Sequence, residues 1–220
     1  MILCIAQVLP PDLLEDVVRR LADARFVDGA RTAGWHARLV KANEQLSPAD
    51  AAHADLIRRI NAAIEGHQLF QIAARPKAVR PVMISRYTAG MEYGTHVDDA
   101  MMGGIRTDVS FTLFLGDPAS YDGGELVMEG TGGEQAYKLD AGSMILYPSG
   151  ALHRVEPVTR GARLAAVGWA QSLVRDPGKR EILFDLDTAR RAIFRQQGKT
   201  AEFDLISKST ANLMRLWAES

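Results

Sequence analysis

Hydrophobic positions near the N-terminus recur at the spacing of an amphipathic helix. Leu13, Val17 and Leu21 stand four residues apart within a segment that is otherwise rich in charged side chains. This period predicts a helix over about residues 12–25, with one apolar face directed at a core. We expect Asp12 to cap its start, because an acidic residue follows three positions later.

The stretch "SPADAAHADLIRRINAAIEG" repeats the helical pattern. Ser47 followed by a proline predicts the N-terminus of a second helix, and Gly66 predicts its end. Leu56, Ile60 and Ile64 form the expected buried stripe. The segment between the two predicted helices shows no clear period.

From about residue 78 the pattern changes to short runs rich in branched and aromatic residues, separated by Gly, Pro and Asp. Several such runs in succession predict an antiparallel β-sandwich or barrel. Within them, "YDGGELV" predicts a sharp turn at Gly123 and Gly124 that leads into a strand. The predicted strands are "AVRPVMISRY", "TDVSFTLFLGD", "GELVM", "AYKLD", "SMILYP" and "RLAAVGWAQ".

After "RDPG" the helical period returns in two amphipathic segments, the first of which we expect Asp176 to cap. The chain is therefore expected to be an α+β protein. We divide it into an N-terminal helical layer (1–77), a β-core (78–172) and a C-terminal helical extension (173–220). The apolar face of this last segment fits either packing against the β-core or a homodimer interface.

Composition narrows the class of protein. The 220 residues, 47% hydrophobic and 24% charged, are enough for one substantial core. A net charge of -1 without a basic run argues against nucleic-acid binding. The single cysteine, Cys4, excludes an internal disulfide and a cysteine-based metal cluster. The absence of a signal peptide and of an apolar run of roughly 20 residues predicts a cytoplasmic protein that does not cross a membrane.

Four polar residues in the predicted β-core suggest a metal site. In an extended strand, His96 and Asp98 would project from the same face. If residues 153–163 form a hairpin centred near Val158, His153 and Arg163 would face each other on neighbouring strands. Two histidines and one carboxylate are the donors of the open triad of non-haem Fe(II) oxygenases. The arginine would suit an anionic ligand, since its planar fork binds a carboxylate through two hydrogen bonds.

Each of these residues also has a purely structural interpretation. His153 could be a core histidine with satisfied hydrogen bonds, and Arg163 could form an ion pair with an internal acid. An arginine in a strand otherwise made of apolar residues does need a partner, because an unpaired buried charge is costly.

The motifs resemble those of the PKHD-type hydroxylases, prokaryotic Fe(II)- and 2-oxoglutarate-dependent dioxygenases that are similar to prolyl 4-hydroxylases. The resemblance covers nearly the whole chain. It is carried by "PPDLLEDVVRRL", "VKANEQL", "RYTAGMEYGTHVD", "RTDVSFTLFLGDPASYDGGELV" and "AGSMILYPSGALHRVEPVTRGAR".

The resemblance implies a double-stranded β-helix, or jelly-roll, core. It implies that His96, Asp98 and His153 bind Fe(II), that Arg163 pairs with the distal carboxylate of 2-oxoglutarate, and that Tyr87 hydrogen-bonds this cosubstrate. For Tyr87, packing at the barrel mouth is the alternative role. No catalytic residue beyond the metal centre is expected. The implied reaction couples O2 to the oxidative decarboxylation of 2-oxoglutarate to succinate and CO2 and hydroxylates a substrate, with L-ascorbate keeping the iron reduced.

The substrate is not evident from the sequence, and both a small molecule and a protein are compatible with it. Lys41, Asn43 and Gln45, in a polar segment shared with the family, are expected to line the substrate mouth. Two other functions remain open. One is a non-catalytic jelly-roll module that binds a metal or a small carboxylate. The other is a Zn(II) hydrolase, which needs a general base near the metal, whereas Asp99 is expected on the opposite strand face.

Overall fold

The structure is a computed structural model, and it describes residues 1–32, 34–35 and 37–219. Its strands form antiparallel sheets. The helices are α1 (Pro11–Ala22), α2 (His53–Gly66), α3 (Gln68–Ala74), α4 (Pro177–Gln197) and α5 (Ala201–Trp217). The strands are β1 (Leu3–Ile5), β2 (Phe26–Asp28), β3 (Lys41–Ala42), β4 (Glu44–Leu46), β5 (Pro76–Val79), β6 (Met83–Thr88), β7 (Glu92–His96), β8 (Met101–Met102), β9 (Ile105–Arg106), β10 (Val109–Phe114), β11 (Asp122–Gly123), β12 (Leu126–Gly130), β13 (Gly133–Tyr137), β14 (Met144–Pro148), β15 (His153–Val155), β16 (Val158–Arg160) and β17 (Ala162–Ser172).

The larger sheet has the strand order β1-β14-β10-β17-β6-β4-β2, with β5 also paired to β17. Alternation along β10 separates its two faces, as the period of two requires. Phe111 and Leu113 join the core that the helices cover, whereas Ser110 and Thr112 are buried polar residues on the other face. The helix-covered face is therefore apolar, and the other face carries polar groups into the protein.

The smaller sheet has the order β13-β12-β15-β7-β3. A second apolar cluster joins Leu126, Met128 and Val155 of this sheet to Tyr87 and Phe114 of the larger one. The two sheets therefore face each other, as the predicted jelly roll requires.

The predicted helical stripes are confirmed. Val17 and Leu21 of α1 and Leu56, Ile60 and Ile64 of α2 are each at most 1% exposed and belong to the core against the larger sheet. No helix within the described residues has the length and apolar character that a membrane span requires.

The two predicted N-terminal caps are wrong. α1 begins at Pro11, which has no amide hydrogen to satisfy and a preset φ, so Asp12 lies in the first turn instead of capping it. α2 begins only at His53, without a side-chain cap, and Ser47 accepts a hydrogen bond within the preceding turn. The C-terminal prediction is confirmed, since the carboxylate of Asp176 accepts a hydrogen bond from the backbone at the start of α4.

The N-terminal segment contributes strands as well as helices. β1 pairs with β14 and β4 pairs with β6, so both extend the larger sheet. The segment without a clear period contains β2, β3 and β4, which are too short to show one. The division at residues 77 and 172 stays a prediction.

Candidate metal centre

His96, Asp98 and His153 meet between the two sheets. One potential ligand atom from each lies within 4.8 Å of the others. His96 and His153 are buried, and the side chain of Asp98 is 8% exposed. Two imidazoles and one carboxylate thus converge, although they come from two separate parts of the chain.

Strand pairing brings the two histidines together. β15 and β7 are neighbours in the smaller sheet, His153 is in register with His96, and their ring centres are 4.3 Å apart. β7 ends at His96, so the prediction that Asp98 shares its strand face is wrong. The backbone amide of Asp98 instead donates a hydrogen bond to the carbonyl of Ser149, 3.3 Å away, which holds this segment beside the larger sheet.

The hydrogen bonds of the two imidazoles favour metal binding. Nδ1 of His96 lies 2.8 Å from the carbonyl oxygen of Gly94, and Nδ1 of His153 lies 2.9 Å from that of Ala151. A carbonyl only accepts, so each Nδ1 carries the proton and each Nε2 keeps a free lone pair. Nε2 of His153 lies 3.9 Å from Oδ2 of Asp98. These donors fit a divalent metal ion.

The surroundings of His96 keep its imidazole neutral. Burial and the neighbouring His153 lower the pKa of His96 to about 4, so its ligand form predominates at neutral pH. The ring of Tyr93 stacks on the imidazole, with ring centres 3.7 Å apart and planes inclined by 16°. The sequence does not predict this contact, because a tyrosine three residues before a histidine does not indicate that their rings stack.

The hairpin interpretation is wrong, because Arg163 does not lie opposite His153. β16 pairs with β11, and Gly161 then takes a left-handed conformation (φ 73°) that leads into β17 of the larger sheet. Arg163 is in register there with Tyr87 of β6. Arg163 of the larger sheet and His153 of the smaller sheet thus belong to facing sheets, and both line the same cavity.

Within the part of the chain that the structure describes, no acid pairs with the buried guanidinium of Arg163. The residue is 1% exposed, and neither Nε nor Nη2 has a hydrogen-bond partner among the described residues. Its Cζ makes cation–π contacts with the rings of Tyr87 and Phe114, whose centres are 5.2 and 5.4 Å away. The alternative of an internal ion pair is therefore wrong, and the arginine is suited to an incoming anion.

These groups line a cavity of about 470 Å³. Lys41, Asn43 and Gln45 also lie on its wall, as does Tyr87. Burial lowers the pKa of Lys41 to about 8. Asp99 lines the cavity too, so the expectation that it faces away is wrong, since no strand spans this position.

Residues 82–171 match the family model described as the 2OG-Fe(II) oxygenase superfamily. Over its full length the chain is similar to curated PKHD-type hydroxylases. It is 57% identical to one from Picosynechococcus sp. over 215 residues, which cover 98% of both chains. It is 58% identical to one from Gloeothece citriformis over 221 residues, which cover 100% of both.

Solved structures share the fold at lower identity. A Pseudomonas putida prolyl-4-hydroxylase is 24% identical with a TM-score of 0.52, covering 78% of this chain and 92% of that one. A Trichoplax adhaerens prolyl hydroxylase, solved with a hypoxia-inducible-factor peptide fragment, is 14% identical with a TM-score of 0.54, covering 82% and 86%. These likenesses confirm the expected jelly-roll core.

Proposed function

Because the chain belongs to the PKHD-type hydroxylases of the 2OG-Fe(II) oxygenase superfamily, we propose that His96, Asp98 and His153 bind its iron and that Arg163 and Tyr87 bind 2-oxoglutarate. The family fixes the reaction class: the protein is an oxidoreductase that hydroxylates with Fe(II), 2-oxoglutarate and O2. Membership of this family argues against the two alternative functions, a Zn(II) hydrolase and a non-catalytic binding module.

The observation that carries the residue assignment is one cavity lined both by a three-donor cluster and by a buried arginine that has no acidic partner among the described residues. The donors are two imidazole nitrogens and one carboxylate oxygen, a set that would leave positions on a bound iron for other ligands. When bound, iron and 2-oxoglutarate supply the oxidative chemistry, in which O2 is consumed, succinate and CO2 are released and a substrate C–H bond is hydroxylated.

Arg163 would fix the orientation of 2-oxoglutarate by holding its distal carboxylate. A guanidinium presents two parallel N–H groups to a carboxylate, which sets direction as well as affinity. Tyr87, in register beside it, has its hydroxyl available as a further donor. Charge balance supports this pairing: Fe(II) and Arg163 together neutralise Asp98 and the two carboxylates of 2-oxoglutarate when both histidines are neutral.

The walls of the cavity would keep the reacting groups away from bulk water. Tyr147 packs edge-on against His153 at 5.0 Å, and Met83 and Val167 line the same space. An environment of this kind strengthens electrostatic contacts and limits side reactions.

The substrate, a small molecule or a protein, would enter past the polar segment that contains Lys41, Asn43 and Gln45. All three line the cavity, which supports a role in ligand binding. L-Ascorbate as the reductant that keeps the iron as Fe(II), and a homodimer formed through the C-terminal helices, are parts of the same proposal that rest on the family resemblance and the apolar pattern.

The assignment is tested by Asp98→Ala with Asp99→Ala as its neighbour control. The wild type should release succinate from 2-oxoglutarate in air, with a requirement for Fe(II) and inhibition by N-oxalylglycine. Asp98→Ala should lose both iron binding and succinate release, whereas Asp99→Ala should retain the iron. Native iron content and a wild-type rate in Asp98→Ala would show that the ligand assignment is wrong.

A further inference from the structure

Strand register places Asn43 at the same level of the larger sheet as Tyr87 and Arg163. β4 pairs with β6 through Glu44 and Arg86, so continuing that antiparallel register by one residue sets Asn43 opposite Tyr87. Tyr87 is in turn opposite Arg163 on β17. The three side chains form a row across neighbouring strands, and all three line the cavity.

The carboxamide of Asn43 is buried. The residue is 4% exposed, and neither Nδ2 nor Oδ1 has a hydrogen-bond partner among the described residues. Burial raises the pKa of Tyr87, and the nearby carboxamide of Asn43 partly opposes that rise. No hydrogen bond of ordinary geometry joins the two side chains. Buried amides nearly always have partners, so this one is suited to a bound polar ligand.

Gly29 leaves room for this carboxamide in its present position. The backbone amide of Gly29 donates to the carbonyl oxygen of Asn43 at 2.8 Å. A Cβ on Gly29 would lie 1.9 Å from Oδ1 of Asn43, so any larger residue there would displace the carboxamide. Oδ1 lies against Gly29, and Nδ2 is therefore the end of the carboxamide turned away from it.

We propose that Asn43 is a third residue of the cosubstrate site, whose Nδ2 donates a hydrogen bond to the distal carboxylate of 2-oxoglutarate. This inference rests on the proposed role of Arg163. A carboxylate held by a guanidinium keeps further lone pairs free, and a neutral amide donor satisfies one of them without adding charge. Asn43 then belongs to the cosubstrate end of the cavity, whereas the sequence suggested that it lines the substrate mouth.

The test compares two ligands that differ only at the distal end. 2-Oxoglutarate carries the distal carboxylate, and 2-oxopentanoate has the same five-carbon 2-oxo acid skeleton with a methyl group instead. Dissociation constants for both are measured by calorimetry without O2 on the Fe(II)-loaded wild type, on Asn43→Ala and Asn43→Asp, and on Asn212→Ala, which removes an exposed amide on α5. Far-UV circular dichroism and iron content verify that each variant is folded and loaded.

Losing one hydrogen bond to a charged group should weaken 2-oxoglutarate binding by Asn43→Ala about 10-fold. Binding of 2-oxopentanoate should stay unchanged. Asn43→Asp should weaken 2-oxoglutarate binding further, because its charge repels the distal carboxylate and competes for Arg163. Asn212→Ala should match the wild type with both ligands.

The proposal is overturned if Asn43→Ala leaves the affinity for 2-oxoglutarate unchanged, or if it weakens both ligands by the same factor. The second result would mean that Asn43 only supports the shape of the cavity. Arg163→Met separates this failure from that of the proposed function. If 2-oxoglutarate binds Arg163→Met as tightly as it binds the wild type, the assignment of the arginine itself is wrong, whatever Asn43 does.

Discussion

The hydroxyl of Ser110 lies 2.6 Å from Oδ2 of Asp98 and 2.8 Å from the hydroxyl of Ser149. A hydroxyl carries one hydrogen, so when Ser110 donates to the carboxylate it accepts from Ser149. Ser110 belongs to β10, which is paired on both sides within the larger sheet, whereas Asp98 follows the end of β7. A carboxylate outside the strands is thus oriented by a rigid strand.

Ser110→Ala should weaken iron binding, because the carboxylate of Asp98 loses the donor that orients it. Groups that hold a metal ligand in this way typically contribute about 10–100-fold to metal affinity. Competition with a chelator of known affinity measures the change. Ser85→Ala, an equally buried serine on β6, should leave the iron affinity unchanged. Equal affinities in the two variants would show that Ser110 does not orient the ligand.

Arg163→Met should make the ligand-free protein more stable while removing 2-oxoglutarate binding. Replacing even a buried ion pair with well-packed apolar side chains often stabilises a protein by about 1–4 kcal/mol. The guanidinium of Arg163 is buried and has no acidic partner among the described residues, so its burial is not offset by such a pair. Urea denaturation measures the free energy of unfolding, and calorimetry measures cosubstrate binding.

Arg160→Met is the control for both measurements, the free energy of unfolding and the affinity for 2-oxoglutarate. Arg160 lies three residues earlier, is exposed and pairs with Asp122 at 2.6 Å. Its replacement should change neither the free energy of unfolding nor the affinity for 2-oxoglutarate appreciably. A ligand-free Arg163→Met that is less stable than the wild type would contradict the view that Arg163 is retained for binding.

The residues of the metal centre were identifiable from the sequence, but the route by which they meet was not. The spacing of His96 and Asp98 predicts a shared strand face, whereas β7 stops at His96 and Asp98 follows it. The hairpin prediction pairs His153 with Arg163, whereas His153 pairs with His96. Local spacing predicts alternation within a strand, and it carries no information on which sheet the next strand joins.

The elements with strong periods were predicted well, and the short ones were not. β10, β14 and β17 coincide closely with predicted runs of branched and aromatic residues, and α4 begins where its cap predicted. Strands of two or three residues, such as β3 and β4, are too brief to display a period and are stabilised by pairing with β7 and β6. The row formed by Asn43, Tyr87 and Arg163 depends on that pairing and was therefore inaccessible from the sequence.

Gly124→Ala should both destabilise the fold and weaken cosubstrate binding. Gly124 has a φ of 70°, and a Cβ there would lie 3.0 Å from Cδ of Arg163. The left-handed conformation should cost about 1–2 kcal/mol of unfolding free energy, and the displaced arginine should weaken 2-oxoglutarate binding several-fold. Urea denaturation and calorimetry measure the two effects.

Gly132→Ala is the matched substitution in the same half of the chain. A Cβ at Gly132 meets nothing within 4 Å, and its φ is not in the left-handed region. Stability and 2-oxoglutarate affinity should both stay near the wild-type values. If Gly124→Ala loses stability but binds 2-oxoglutarate normally, the contact with Arg163 has no part in positioning the guanidinium.

Lys41→Met should stabilise the protein at neutral pH by an amount that shrinks in alkali. Nζ of Lys41 lies 3.2 Å from Oγ1 of Thr32 and 5.2 Å from the ring centre of Tyr93, and burial lowers its pKa to about 8. Below pH 8 the lysine is charged in both the folded and the unfolded chain, so the folded state bears the full cost of burying the charge.

Between pH 8 and the lysine pKa of about 10.4 in an unfolded chain, the unfolded state binds more protons than the folded state. The free energy of unfolding of the wild type therefore rises over this interval relative to that of Lys41→Met. Urea denaturation of both proteins at pH 7, 8, 9 and 10 measures the difference. Lys77→Met, which replaces an exposed lysine, should show no such trend. A difference between Lys41→Met and the wild type that is constant from pH 7 to pH 10 would mean that Lys41 titrates as an ordinary surface lysine.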